Sequence, residues 1–273
     1  MANEAETPFQ KKLYGRRKGP KLSAYKEDLR QSLLPKQTLN IVQGLDPRLY
    51  FSPPHRGEVE AQSASGGGLT PAASPDHQAA PGSPTSPQGG GETGVSEVWL
   101  EVGFGAGEHM LANARRHPGT GMIGAEPYES GVAKLLSHMA DAPPPNLRIH
   151  EGDARDILAA LPDHALAKVF VLFPDPWPKT RHHKRRFIQT EMLTEFARVL
   201  KPGGEFRFAS DDAGYLGWTL ERALAHPSFA WTAKTPGDFE KRPPHWPPTR
   251  YEAKALHGPP VYLSFLTRAK ISP

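Results

Sequence analysis

Four carboxylates stand at equivalent places along the chain, each closing or closely following a short apolar run: Glu101, Glu126, Asp153 and Asp175. The first opens the stretch Glu101-Val102-Gly103-Phe104-Gly105-Ala106-Gly107. Glycines at that spacing let the backbone turn tightly and approach a ligand closely, and a helix starting behind them offers unpaired N–H groups. Gly103 and Gly105 are the candidates for that approach. A glycine triplet alone also fits a plain tight turn, and any one of these acids alone fits a solvated loop. The repetition at four strand ends argues for a shared ligand site, because open α/β sheets bind at the carboxyl ends of their strands. An acid after the second strand commonly accepts the ribose hydroxyls of a nucleoside cofactor.

Two such cofactors compete. A dinucleotide site wants G-x-G-x-x-G, so that the pyrophosphate rests on the helix N-terminus. Here the spacing is G-x-G-x-G, with Glu101 two residues ahead of the first glycine. A carboxylate there would repel a pyrophosphate and suits the ammonium and sulfonium groups of S-adenosyl-L-methionine. The sign of that charge favours the methyl donor, and a nicotinamide dehydrogenase ranks last.

The segment Phe173-Pro174-Asp175-Pro176-Trp177-Pro178-Lys179 follows the fourth strand. Its three prolines stiffen the loop and hold Asp175 and Trp177 in a narrow range of backbone angles. A structural turn with Trp177 packed as core is the alternative, but such a turn needs no carboxylate at the ligand edge. Directly behind come Arg181, His182, His183, Lys184, Arg185 and Arg186. A helical apolar pattern starting at Ile188 places these cations at a helix N-terminus, unfavourable by ~0.3–1 kcal/mol for each exposed charge. That placement argues for a phosphate-contacting strip over a merely solvated face. No carboxylate or third histidine sits at ligand spacing from His182 and His183, so no metal site is expected.

The elements that must hold these residues alternate. Strands are expected at Val95–Glu101, Met122–Glu126, Leu147–Asp153, Lys168–Phe173 and Glu205–Ser210, with helices between them. One helix, with Ile188, Met192, Leu193, Phe196, Val199 and Leu200 at apolar positions, follows the 3.6-residue period. Such alternation predicts an α/β protein with a mostly parallel sheet and helices on both faces. Phe229–Ala233 and Val261–Thr267, with no well-formed helix between them, are expected as an antiparallel pair at one edge.

The rest of the 273-residue chain reads differently. Residues 1–51 form a basic arm, with Lys11, Lys12, Arg16, Arg17, Lys18, Lys21 and Lys26 among tyrosines, and a short helix hinted at by Leu29, Leu33 and Leu34 before Pro35. Residues 52–94 are about half Pro, Gly and Ser, a composition that cannot offset ~1–2 kcal/mol of backbone entropy per ordered residue. They read as a flexible insertion ahead of the 95–273 domain. The net charge of +4 is clustered, which suggests an anionic partner. There is no cysteine, which excludes disulfides and thiolate chemistry. Met1 to Gln10 lack the apolar run of a secretory signal, and the longest aliphatic-aromatic run, Val169 to Phe173, is too short to cross a bilayer. A cytoplasmic protein without membrane contact is expected.

From Glu101 onward the sequence resembles the bacterial tRNA (guanine-N7-)-methyltransferases. The resemblance rests on EVGFGAG, Gly124-Ala125-Glu126, Glu151-Gly152-Asp153-Ala154, FPDPWPKTRHHKRR, Lys201-Pro202-Gly203-Gly204, Ser210-Asp211 and Thr249-Arg250-Tyr251-Glu252. The glycine loop is shared with many methyltransferases; the FPDPWPK segment with its basic continuation is far more specific. The resemblance implies a Rossmann-like class I methyltransferase fold with a seven-stranded sheet, in which Glu101, Gly103, Gly105, Glu126, Asp153 and Asp175 line the S-adenosylmethionine pocket. It implies that Asp175 is catalytic, that Lys179, Asp211, Thr249, Arg250, Tyr251 and Glu252 contact the substrate guanosine and its surroundings, and that Arg181 to Arg186 meet RNA. The implied reaction methylates N7 of a guanosine in the tRNA variable loop (nucleotide 46) by a monomer or homodimer. The 52–94 insertion and Trp246, at a place where a basic residue is common, depart from the family pattern. A methyltransferase for small molecules or proteins, and a catalytically silent RNA-binding protein on the same fold, are the rival readings.

Overall fold

A computed structural model describes residues 17–51, 94–244, 246–254 and 257–268. The arm up to residue 16 and nearly all of the expected insertion lie outside the described residues.

Strand β1 (Glu97–Val102) leads through the glycine loop into helix α3 (Glu108–Arg116). There follow β2 (Thr120–Ala125), α4 (Glu129–Met139), β3 (Leu147–His150), α5 (Ala154–Ala160) and β4 (Leu166–Leu172). The chain continues through α6 (Thr190–Val199), β5 (Leu200–Ser210), α7 (Ala213–Ala225) and β6 (Phe229–Trp231). Two short helices, α8 (Gly237–Glu240) and α9 (Arg250–Lys254), precede the final strand β7 (Val261–Thr267). Ahead of all these lie α1 (Ala24–Ser32) and α2 (Leu34–Gln37).

Among the described residues seven strands form one sheet in the order β3-β2-β1-β4-β5-β7-β6. Neighbours from β3 to β5 pair in parallel, and β7 runs antiparallel between β5 and β6. The central strands are buried along nearly their whole length, as a parallel sheet covered on both faces requires. One face packs Met110, Leu135, Leu136 and Leu29 from α3, α4 and α1. The other packs Ile157, Phe196 and Tyr215 from α5, α6 and α7. Strand order reverses between β1 and β4, and a crevice opens at such a switch point beyond the strands' carboxyl ends.

The described part of the arm docks on this body. Ser23 caps α1, and Arg30 on that helix pairs with Glu129 and Glu151. Thr38 bridges to Ile149 in parallel and the Leu39 amide donates to the Ile149 carbonyl at 2.7 Å, covering the β3 edge. The expected helix before Pro35 ends at Ser32; Pro35 sits in the first turn of α2, where its missing N–H is no loss.

Two expectations are corrected. The helix expected from Ile188 to Leu200 spans only Thr190–Val199: Ile188 precedes it, with its amide donated to the Tyr215 hydroxyl, and Leu200 already belongs to β5. Both residues face the same core as the helix, so apolar spacing alone could not exclude them. The cations behind Lys179 therefore do not crowd the N-terminus of α6. They form their own 3-10 turn, Thr180–Arg185, while Glu191 occupies the first turn of α6.

Candidate active site

The loop after β1 is built on glycine for two measurable reasons. Gly105 has φ +60°, and a Cβ there would press on the Tyr251 ring at 3.1 Å. Gly107, with φ +76°, leads directly into α3, and a Cβ there would collide with Leu135 at 2.6 Å. The loop thus turns in backbone conformations that side chains disfavour, close against α4 and α9.

Beside it lies a cavity of about 860 Å³, within the range of small-molecule sites. Glu126, Asp153 and Asp175 all line it, together with Gly103 and Gly105. Three of the four strand-end acids therefore share one space. Glu101 does not join them directly. It is 2% exposed and lines an adjoining recess of about 10 Å³, whose walls Gly103, Leu172, Phe173 and Tyr251 are common to both spaces.

Each acid is held by a different device. Glu126 accepts the amides of Gly105 at 2.7 Å and Tyr128 at 2.8 Å. Burial nevertheless pushes its pKa up to about 7, the two amides opposing that rise and Asp175 and Glu101 adding to it. Asp153 caps α5 by accepting the Arg155 amide and pairs with the Arg155 guanidinium at 2.9 Å. Asp175 stands exposed toward the cavity, and desolvation by its walls raises its pKa above the ordinary carboxylate value.

Glu101 has a partner that the strand-end pattern did not reveal. His109 Nδ1 lies 2.7 Å from Glu101 Oε2, and both side chains are buried. The Asn113 amide nitrogen donates to the His109 carbonyl at 2.9 Å, which fixes the orientation of the amide. The same nitrogen faces His109 Nε2 at 3.1 Å, so Nε2 accepts and Nδ1 carries the proton toward Glu101. Phe170 and Trp246 close over the histidine ring with centroids 4.9 and 4.7 Å away. Trp246 thus fastens the segment leading to α9 onto the floor beneath the glycine loop. A histidine two residues past the last loop glycine was the available signal for this pair.

The expected substrate residues divide. Arg250 and Tyr251 line the cavity, and Thr249 lines the recess. Glu252 lines neither: it makes a capping box with Thr249, accepting the Thr249 amide while the Thr249 hydroxyl accepts the Glu252 amide, and pairs with Arg242. Asp211 also lies outside the cavity lining, where it accepts the His257 amide. Lys179 is exposed at the start of the 3-10 turn. Lys134 lines the mouth without having been singled out in the sequence; burial, then Arg250 and Lys26, lowers its pKa.

The basic strip divides too. Arg181 and Lys184, three apart in a 3-10 turn and so on one side of it, are exposed. His182 packs edge-on against Trp177, His183 against Trp218, and Arg185 lies over the Trp177 ring at 4.9 Å while lining the cavity. Arg186 departs from its expected place on the surface. It is 3% exposed and donates inward to the Pro176 carbonyl of the Asp175 loop.

Residues 96–261 match a protein family described as "Putative methyltransferase". The tRNA (guanine-N(7)-)-methyltransferase of Rhodospirillum rubrum is 42% identical over 266 residues, covering 95% of this chain and 89% of that protein. Its counterparts in Chelativorans sp. and Brucella abortus are 50% and 48% identical, over 63% and 65% of this chain and 75% and 77% of their own lengths. Among solved structures, a 16S rRNA methyltransferase superposes loosely, with a TM-score of 0.44 and 18% identity over 64% of this chain and 90% of that one. With nearly its whole length aligned to a relative at this identity, the chain belongs to the tRNA (guanine-N(7)-)-methyltransferase family.

Proposed function

We propose that this chain transfers the methyl group of S-adenosyl-L-methionine to N7 of a guanosine in the tRNA variable loop. The observation that carries the reading is the single cavity at the sheet's switch point, lined by Glu126, Asp153 and Asp175 and bordered by an exposed basic turn. The residues fit the donor: a loop of left-handed glycines, two of which line the cavity, and buried acids for a ligand carrying hydroxyl, amino and cationic groups. Glu126 would take ribose hydroxyls on its remaining lone pairs. Asp153 would stand at the base-binding end. Glu101, kept in place by His109, would supply negative potential beneath the glycine loop.

When bound, S-adenosylmethionine supplies a methyl group on positively charged sulfur, which guanine N7 displaces in line with its free lone pair. No proton has to leave first, so the protein's part is positioning and electrostatics. Positive charge passes onto the purine, and Asp175, exposed toward the cavity, would stabilise it or accept a hydrogen bond from the purine edge. Arg250 and Tyr251 would border the incoming base, while Lys179, Arg181, Lys184 and Arg185 would meet phosphates. The Thr249–Glu252 box and the Asp211–His257 contact would hold the walls of the substrate side.

Incubation with unmodified tRNA and labelled methyl donor, followed by mapping of the modified nucleotide, tests the proposal. Label on N7 of a variable-loop guanosine is the expected result. Label on another base, on protein or on small molecules only would overturn it.

A further inference from the structure

The loop that carries Asp175 begins and ends in left-handed backbone, with φ +51° at Phe173 and +45° at Trp177. Neither residue is glycine, so both conformations need support from outside the loop. Pro174, Pro176 and Pro178 have no amide hydrogen to offer, which leaves carbonyls and few amides as handles. At the near end the Phe173 amide donates to the Ala209 carbonyl of β5 at 2.7 Å. At the far end the Pro176 carbonyl accepts from Arg186 Nε at 2.8 Å.

A second nitrogen of that guanidinium is committed as well. Its Nη1 donates to the Gly214 carbonyl in α7 at 3.2 Å. Its Cζ lies 5.0 Å from the Tyr215 ring centroid and 5.1 Å from that of Trp218. A cation with 3% of its surface exposed thus donates to two carbonyls and lies against two aromatic rings, and its fork spans from the loop to α7. A lysine ammonium has no such fork. Its neighbour Arg185 turns the other way, onto Trp177 at the cavity.

We infer that Arg186 is a positioning residue: it ties the Asp175 loop to α7, fixes where the Asp175 carboxylate stands, and takes no part in RNA contact. This rests on the reading of Asp175 as catalytic. The test compares Arg186→Lys and Arg186→Met with Asp175→Ala and with each double variant, measuring thermal melting, donor affinity, tRNA affinity against salt, and single-turnover rate. Arg186→Lys keeps the charge and decides the matter should Arg186→Met fail to fold. Either folded variant should lose about tenfold or more in rate, as a displaced catalytic group does. tRNA affinity and its salt slope should stay within about twofold, since no phosphate contact is removed. In the Asp175→Ala background the Arg186 substitution should cost nothing further. A weakened, less salt-dependent tRNA affinity at unchanged rate would assign Arg186 to RNA and overturn the inference. So would rate losses that multiply in the double variant. Near-normal turnover of Asp175→Ala alone would instead overturn the reading of Asp175, and the inference with it.

Discussion

Glu126 accepts the Gly105 amide at 2.7 Å, so the acid just past β2 holds the glycine loop just past β1. The same carboxylate is buried deeply enough that its pKa rises to about 7. Two consequences follow for pH. A raised value means the protonated form favours folding, so this contribution is present below the ordinary 4.5 and is lost as pH rises through about 7. Binding of a donor whose ribose hydroxyls need the carboxylate form runs the opposite way. Affinity for S-adenosylhomocysteine, measured by calorimetry between about pH 5.5 and 8.5, should rise up to about tenfold per unit below 7 and level off above. Glu126→Gln should bind weakly with no such slope, and a pH-independent affinity in the unaltered protein would show that Glu126 does not receive the donor.

Asp175 invites a separation of binding from chemistry. It stands open to the cavity on a loop pinned at both ends, and desolvation raises its pKa. Asp175→Ala should lower the single-turnover rate by about 10²–10³, the usual cost of removing a group aimed at developing charge, and alter donor affinity by only a few-fold. In the unaltered protein the rate should climb with pH as this carboxylate ionises, with a midpoint above the ordinary carboxylate value. A variant that bound donor poorly yet turned over normally once saturated would make Asp175 a binding group only.

Much of this arrangement was legible in the sequence, because parallel α/β geometry forces strand ends to one edge. Glu126, Asp153 and Asp175 reach one cavity for that reason alone. What escaped depends on contacts between distant residues. Arg186 reads as one more cation in a run, and only its contacts with Gly214, Tyr215 and Trp218, 28 and more positions away, turn it inward. Glu101 reads as a pocket acid, yet the second residue of α3 is the histidine that draws it into the floor. Thr249 and Glu252 read only as substrate contacts, and their bonds to each other's backbone at the start of α9 add a capping box to that reading.

The Glu101–His109 pair separates fold from function in another way. His109→Ala leaves a buried carboxylate without its donor and should destabilise the protein by about 2–4 kcal/mol in urea denaturation. Glu101→Gln keeps an oxygen to accept the His109 Nδ1 proton, so stability should change by less than about 1 kcal/mol. The lost negative charge should nonetheless weaken S-adenosylmethionine binding by roughly tenfold, about 1.4 kcal/mol. Wild-type donor affinity in Glu101→Gln would restrict Glu101 to a structural role.

Arg181 and Lys184 provide the cleanest separation of RNA binding from the rest of the machinery, since both are exposed and neither lines the cavity. Each phosphate contact removed should reduce the slope of log affinity against log salt, by about 0.9 on duplex and about 0.7 on single-stranded RNA. Arg181→Ala and Lys184→Ala should therefore each weaken tRNA binding most at low salt and converge on the unaltered protein as salt rises. Donor affinity and the single-turnover rate at saturating tRNA should remain unchanged, because neither side chain lines the cavity. If both variants kept the original slope, the exposed side of the 3-10 turn would not touch the phosphate backbone, and the strip's role would have to rest on Arg185, which lines the cavity, and on Lys179 at the start of the turn.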